Sequence, residues 1–403
     1  MNTPLRTVAE PTRTDPFGKQ LRPILLLTSI FFLNFISRII LAPLMPEMVS
    51  RLHLSGGAAG SFFFFISIGY FSTLLGSGFL SAVLTHKRTI VVSMFALGVA
   101  LFVISMSREV WSIRAGLMLL GMATGPYMPS GIATLTTLTT PNHWGKAIAI
   151  HELAPNLAFI VASLLVEAIL PVFSWRGVFI LLGGATWISG AVFAGFGRGG
   201  EFNGQRPNVA SIRAIFSNRS FWIMVVLFSL GISSTLGIFT MLPLYLVADH
   251  GFSRSWANTL IAVSRVTGLG IVFFGGWAAD RFGPRQILKI VFLLAGALTL
   301  LLGVAAGRWL IVVIVLQPLV AVCFFPAGLS ALSAITSSKE QNIAVSLTIP
   351  LAFLFGGGAV PVIIGLCGDF ESFRWGFVLV GGMILAGALL PDHLNFYNSI
   401  EET

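Results

Sequence analysis

Twelve stretches of mostly apolar residues, each long enough for a membrane-crossing helix, punctuate this sequence. An α-helix needs about 20 such residues to cross the ~30 Å hydrocarbon core of a bilayer. The stretches run near Leu21 to Met45, Gly56 to Leu80, Thr89 to Met106, Val110 to Leu135, Lys146 to Leu170 and Gly177 to Phe196. Six more run near Phe221 to Tyr245, Ser255 to Ala278, Ile287 to Ala306, Trp309 to Ser333, Asn342 to Leu366 and Gly376 to Leu390. Composition agrees, since 10% of the residues are charged against roughly 25% in soluble domains. The run from Phe62 to Phe65 lacks the polar alternation of a barrel strand, so helices are expected. The predicted fold class is an all-α membrane protein of twelve transmembrane helices in two six-helix halves.

Lysine and arginine set the orientation. With the N-terminus cytoplasmic, that side holds Arg6, Arg13, Lys19, Arg22, Lys87, Arg88, Lys146, Arg198, Arg206, Arg213, Arg219, Arg281, Arg285, Lys289 and Lys339. The other side holds Arg51, Arg108, Arg114, Arg176, Arg254, Arg308 and Arg374. The excess predicts both termini inside. The expected divisions are a cytoplasmic tail 1–20, a first half 21–197, a linker 198–219, a second half 220–391 and a tail 392–403. The polar stretch before Leu21 holds no cleavable apolar core, so no signal peptide is read. The net charge of +9 belongs to this topology and implies no nucleic-acid partner. Cys323 and Cys367 both lie in apolar surroundings and suggest neither a disulfide framework nor a metal cluster. No cofactor is expected, because nucleotide and metal-ligand motifs are missing from the sequence.

Four ionisable residues fall deep in the apolar stretches: Arg38, His151, Glu152 and Arg265. A charge at mid-membrane is costly and usually marks a substrate or ion pathway. Arg38 and Arg265, one from each half, are expected to bind an anion through planar charge-assisted bonds. In the competing reading each caps carbonyls at a helix break or pairs with a buried carboxylate. Asn34 lies one turn before Arg38 and adds a polar neighbour on the same face. Glu152 is the deep carboxylate that could carry a proton, and His151 titrates near neutrality in water. Adjacent helical residues diverge by about 100°, and Asn156, one turn after Glu152, favours Glu152 as the inward one. Tyr127, Tyr245 and Gln317 are candidates to hydrogen-bond a ligand, and Phe324, Phe325 and Phe355 to wall it, with Tyr70 ambiguous. No grouping of nucleophile, base and orienting group suggests an enzyme.

The second half carries Gly276-Trp-Ala-Ala-Asp280-Arg281-Phe-Gly283-Pro-Arg285 between its second and third stretches. The matching loop of the first half runs Gly78 to Arg88, keeping the glycine and the basic end without the aspartate. This pattern resembles the signature loop of the major facilitator superfamily, in which Asp280, Arg281 and Arg285 would help close a cytoplasmic gate. Ser174-Trp175-Arg176 and the prolines at 126, 129 and 326 extend the likeness across the chain. Asn34-Phe-Ile-Ser37-Arg38, with Pro43 and Pro46-Glu47-Met48, resembles the anion:cation symporter branch, which implies that Arg38 meets a substrate carboxylate. Ser37 stands where that branch has Asp, and Thr124 where it has a Glu tied to proton coupling, so coupling is expected elsewhere. The Ser264-Arg265 segment is similar to the eighth span of monocarboxylate and nitrate carriers.

The resulting expectation is a monomeric, proton-coupled symporter for a small organic anion, a monocarboxylate or sugar-acid-like compound, in the plasma membrane (the inner membrane of a bacterium). A multidrug/proton antiporter, an inorganic-anion carrier of nitrate type and a non-transporting sensor with a carrier fold are the alternatives.

Overall fold

The computed structural model describes residues 17–204, 213, 215–336 and 341–396. The expected tail up to residue 16, linker residues 205–212 and 214, Lys339 and residues 397–403 lie outside the described residues. Every regular element among the described residues is helical.

In the first half, α1 (Phe17–Ile39) turns at Ile40 into α2 (Leu41–Leu52). The cause is local: Pro43 has no N–H to give to the carbonyl of Ile39, so the helix ladder breaks there. Then follow α3 (Gly56–Leu84), α4 (His86–Met106), α5 (Val110–Thr124) and α6 (Tyr127–Leu138). A single fourth span was expected, but Val110 to Leu138 runs as two short helices around Gly125 and Pro126. Pro126 again removes a donor, and the carbonyls left at the break are claimed by neighbours. Ser93 Oγ donates to Ala123 O at 2.6 Å and Asn34 Nδ2 to Thr124 O at 3.2 Å, as apolar surroundings require of any freed carbonyl. The half ends with α7 (Trp144–Ile169) and α8 (Trp175–Phe196).

The second half begins with α9 (Arg219–Ile232), a π-turn over Ser233–Gly237, and α10 (Ile238–Ala248). It continues with α11 (Arg254–Val266), α12 (Gly268–Phe282), α13 (Pro284–Val304), α14 (Arg308–Ala321) and α15 (Phe324–Ala334). Then come α16 (Gln341–Phe353), a second π-turn over Leu354–Ala359, α17 (Val360–Phe370) and α18 (Phe373–Gly387). Among the described residues ten helical stretches are long and apolar enough to cross a membrane, or eleven if the pair bent by 43° at α11 and α12 counts as one.

Two features of this frame position the site. The two π-turns pack on each other at glycines: a Cβ on Gly237 would lie 2.5 Å from the carbonyl oxygen of Gly356, so only Gly permits the contact. The halves also meet tightly at the end far from the chain termini, where a Cβ on Gly60 would lie 2.3 Å from the carbonyl oxygen of Pro361.

The duplicated loops share a backbone conformation. Thr85, after α3, has φ 73 and ψ 157, and Gly283, after α12, has φ 85 and ψ 145. In this register Ala82 stands where the second half has Asp280. The segment leaving α8 returns to cover the first loop: Asn203 Nδ2 donates to Ala82 O at 2.8 Å, and Lys87 Nζ pairs with Glu201 at 3.1 Å. The segment leaving α18 does likewise for the second, with Arg285 donating to Leu394 O and lying 4.8 Å from the Phe396 ring.

Candidate functional site

Arg38 is buried in the wall of α1 that faces the second half. Its guanidinium carbon lies 4.4 Å from the Tyr70 ring centre, 5.0 Å from Phe35 and 5.7 Å from Phe353. Three π-faces around one cation offset part of its lost hydration. No carboxylate pairs with it and no hydrogen-bond acceptor meets its buried Nε among the described residues. The cavity beside it is about 20 Å³ and is lined by both halves, with Phe63 and Ser67 from α3 and Leu236, Thr240, Phe353 and Gly357 from the second half. That is room for about one water.

Arg265 takes another position. Its Nη2 donates to Thr235 O at 3.1 Å, a carbonyl of the first π-turn. The helix there closes five-residue rather than four-residue loops, which leaves such carbonyls to side chains. Gln317 Nε2 takes the adjacent one, Ser234 O, at 2.8 Å. The Arg265 cation lies 4.5 Å from the Phe159 ring and 5.1 Å from Phe239. Phe159 in turn meets Phe35 edge-on at 5.3 Å, so a relay of rings joins the two arginines. The expected shared clamp therefore takes a different form: Arg38 lines the cavity, while Arg265 caps a carbonyl at a helix break behind the rings. Gln317 likewise serves the π-turn, and Asn34 serves the break at α5.

The proton candidates lie on α7. Residues 152, 156, 159, 163 and 167 share one helical face, and that face meets the second half at Phe159 and at Glu167. Glu152 and Asn156 thus point to the gap between the halves, and the Glu152 side chain is 44% exposed there. Asn156 Nδ2 donates to the Glu152 backbone oxygen at 3.0 Å, which leaves its amide oxygen for other partners. His151 turns the other way and is fully buried, stacked on Phe31 at 4.4 Å.

Hydrogen-bond contacts join Tyr127, His151 and Glu152 in a chain. Tyr127 Oη lies 2.9 Å from Leu27 O and 3.0 Å from His151 Nε2, and its one proton serves either contact. His151 Nδ1 then faces Glu152 Oε1 at 3.3 Å. With the Tyr127 proton on Nε2, Nδ1–H donates to the carboxylate; with it on Leu27 O, Nε2–H donates to the phenol oxygen. Tyr127 from α6 and Glu152 are the titratable groups hydrogen-bonded to His151 among the described residues, and the Phe31 ring of α1 stacks on it.

At the expected cytoplasmic gate Asp280 and Arg281 are exposed and form no ion pair among the described residues, and Arg285 donates to Leu394 O. The bonds that tie the halves lie at the opposite end. Arg254 reaches Glu167 at 3.0 Å and Glu47 at 3.1 Å. Asn258 Nδ2 donates to Glu167 Oε1 at 2.6 Å and to Pro43 O at 3.2 Å. Asp369 accepts from the backbone N–H groups of Gly56 and Gly57 at the start of α3, where the helix dipole favours an anion. Sequence reasoning missed this set, although the Pro46-Glu47-Met48 stretch and the acid at 167 were its signals. Among the expected ligand groups, Tyr245 donates to Leu302 O and Phe324 packs on Phe228 inside the second half.

The profile of the Major Facilitator Superfamily matches residues 27–306 and 255–392. A probable L-galactonate transporter of Escherichia coli is 22% identical over 306 residues, 69% of this chain and 67% of that protein. A 4-hydroxybenzoate transporter of Pseudomonas aeruginosa is 24% identical over 414 residues, 92% of each chain. A solved bacterial homologue of the human lysosomal transporter Spinster, in an inward-facing and occupied conformation, superposes with TM-score 0.77 at 14% identity, over 96% of this chain and 100% of that one.

Proposed function

The chain belongs to the Major Facilitator Superfamily, and on that footing we propose that it is a secondary active carrier moving a small organic anion together with a proton. The observation that carries this reading is the Arg38 guanidinium, buried among three rings with no carboxylate partner among the described residues. A buried charge left uncompensated is strongly unfavourable, and an anion entering beside it supplies the missing partner. The galactonate and 4-hydroxybenzoate named for two relatives are both carboxylates, which supports the same class.

Arg38 is the anion-binding group. Arg265 and Gln317 hold the π-turn that forms the opposite wall, and Asn34 fixes the helix carrying Arg38. The proton sits on the His151–Glu152 pair, with Tyr127 setting the imidazole tautomer and Asn156 beside the carboxylate. Counting α5 with α6 and α11 with α12 as two broken spans beside the ten gives twelve, with both termini cytoplasmic, in a plasma membrane. The two halves, 21–197 and 220–391, rock about Arg38 as one monomer. The end tied by Arg254 is then the outer end, closed here, and Asp280 and Arg281 meet partners only when the inner end closes.

Purified protein reconstituted in liposomes, assayed for pH-driven uptake of labelled carboxylates and then with Arg38→Ala, tests the reading. Saturable uptake abolished in that variant is expected. Uptake of a carboxylate that survives the loss of Arg38, or uptake of lipophilic cations in its place, would overturn it.

A further inference from the structure

We infer that the anion is a monocarboxylate with an apolar body, aryl or short alkyl, and not a polyhydroxylated or doubly charged acid. This rests on the anion-carrier reading above and narrows it. The charge comes first. Arg38 is the one cation lining the cavity, and Arg265, the nearest other through the ring relay, gives Nη2 to Thr235 O. One guanidinium balances one carboxylate, and a second carboxylate would be buried without a counter-charge.

The walls then decide the body of the ligand. Phe35, Phe63, Ile66, Leu236 and Phe353 present only carbon. The hydroxyls available are those of Ser67, Tyr70 and Thr240, and Thr240 already donates its proton to Gly237 O at 2.7 Å. A sugar acid brings a hydroxyl on nearly every carbon, and each one buried without a partner lowers affinity by about tenfold to a hundredfold. An aryl or alkyl group loses nothing there, and the rings that flank the guanidinium extend naturally over a flat carboxylate and its substituent. In this closed state the space is about 20 Å³, so Phe35 and Phe353 must part as the halves move to admit the ligand.

The test is thermal stabilisation of the full-length purified protein by benzoate, isobutyrate, gluconate and succinate at equal ionic strength, in parent, Arg38→Gln and Phe353→Ser forms. Benzoate and isobutyrate should stabilise the parent, with at least tenfold lower apparent Kd than gluconate or succinate, and Arg38→Gln should lose all of it. Phe353→Ser, which places a hydroxyl in the wall, should narrow the preference over gluconate. Gluconate or succinate binding as tightly as benzoate through Arg38 overturns the inference and leaves the anion carrier standing. Binding of all four acids that is indifferent to Arg38 overturns both. If Arg38→Gln does not fold, protection of the parent from proteolysis by the same four acids supplies the ranking, and gluconate at the head of it overturns the inference.

Discussion

Arg254 of the second half lies 3.0 Å from Glu167 of the first, and this pair with Glu47 holds one end of the bundle shut. The three side chains are 28%, 15% and 23% exposed, so the bonds are screened less than at an open surface. Arg254→Ala should cost the closed arrangement about 1–2 kcal/mol, between surface and buried pairs. That is a shift of roughly 5- to 30-fold toward states open at this end. Spin labels on Arg51 and Trp256, read by pulsed distance measurements, should show a longer component grow in; an unchanged distribution refutes the latch.

Glu152 Oε1 lies 3.3 Å from His151 Nδ1, and the proposed coupling runs through this contact. Glu152→Gln retains an acceptor and a donor for Nδ1 but cannot exchange the proton. Uptake in that variant should lose its dependence on the pH gradient while anion exchange continues. His151→Asn should weaken both, since it also removes the contact that sets Tyr127 and the stack on Phe31. A pH-gradient response retained in full by Glu152→Gln removes the carboxylate from the coupling.

Thr85 occupies a backbone region that only glycine enters freely, and its counterpart in the repeat is Gly283. Strain of this kind is worth about 1–3 kcal/mol, against about 0.5–1 kcal/mol for the extra freedom of glycine in the unfolded chain. The only local bond at stake is weak, from Arg88 N to Thr85 Oγ1 at 3.4 Å. Thr85→Gly should therefore stabilise by about 1 kcal/mol, seen as a higher midpoint of thermal unfolding in detergent. A lower midpoint would mean that the hydroxyl outweighs the strain.

Gly237 and Gly356 bring the two π-turns to backbone contact. A methyl at either position meets backbone first, Gly356 O at 2.5 Å from Gly237 and Ser229 O at 2.6 Å from Gly356, so Gly237→Ala should destabilise by about 1–3 kcal/mol. Because the same turn holds Arg265 and Gln317, the anion affinity should fall in parallel with the unfolding midpoint. An affinity loss without a stability loss would point to a direct ligand contact instead.

The spans and the buried arginines were legible because twenty apolar residues and a charge among them are local signals. The division of the fourth span was not, although Pro126 was in view: the break is stable because distant neighbours, Ser93 and Asn34, donate to the carbonyls it frees. Tyr127 and His151 are 24 residues apart, and nothing in either segment announces their bond. The same holds for Arg265, where capping and anion binding call for the same residue type, and only the π-turn at Ser233–Gly237 separates them. That turn packs at Gly237 against Gly356, a contact invisible before folding.

Each half is finished by its own tail, which doubles back over its own basic loop: Glu201 and Asn203 over Lys87 and Ala82, Leu394 and Phe396 over Arg285. The first tail also supplies, from outside the repeat, the acid that the loop lost when Ala82 replaced the aspartate. Each half is in this sense a self-sealed module. A gene severed within codons 205–212 should yield two polypeptides that assemble into a working carrier, whereas a cut before Gly200 would strip the first of its seal.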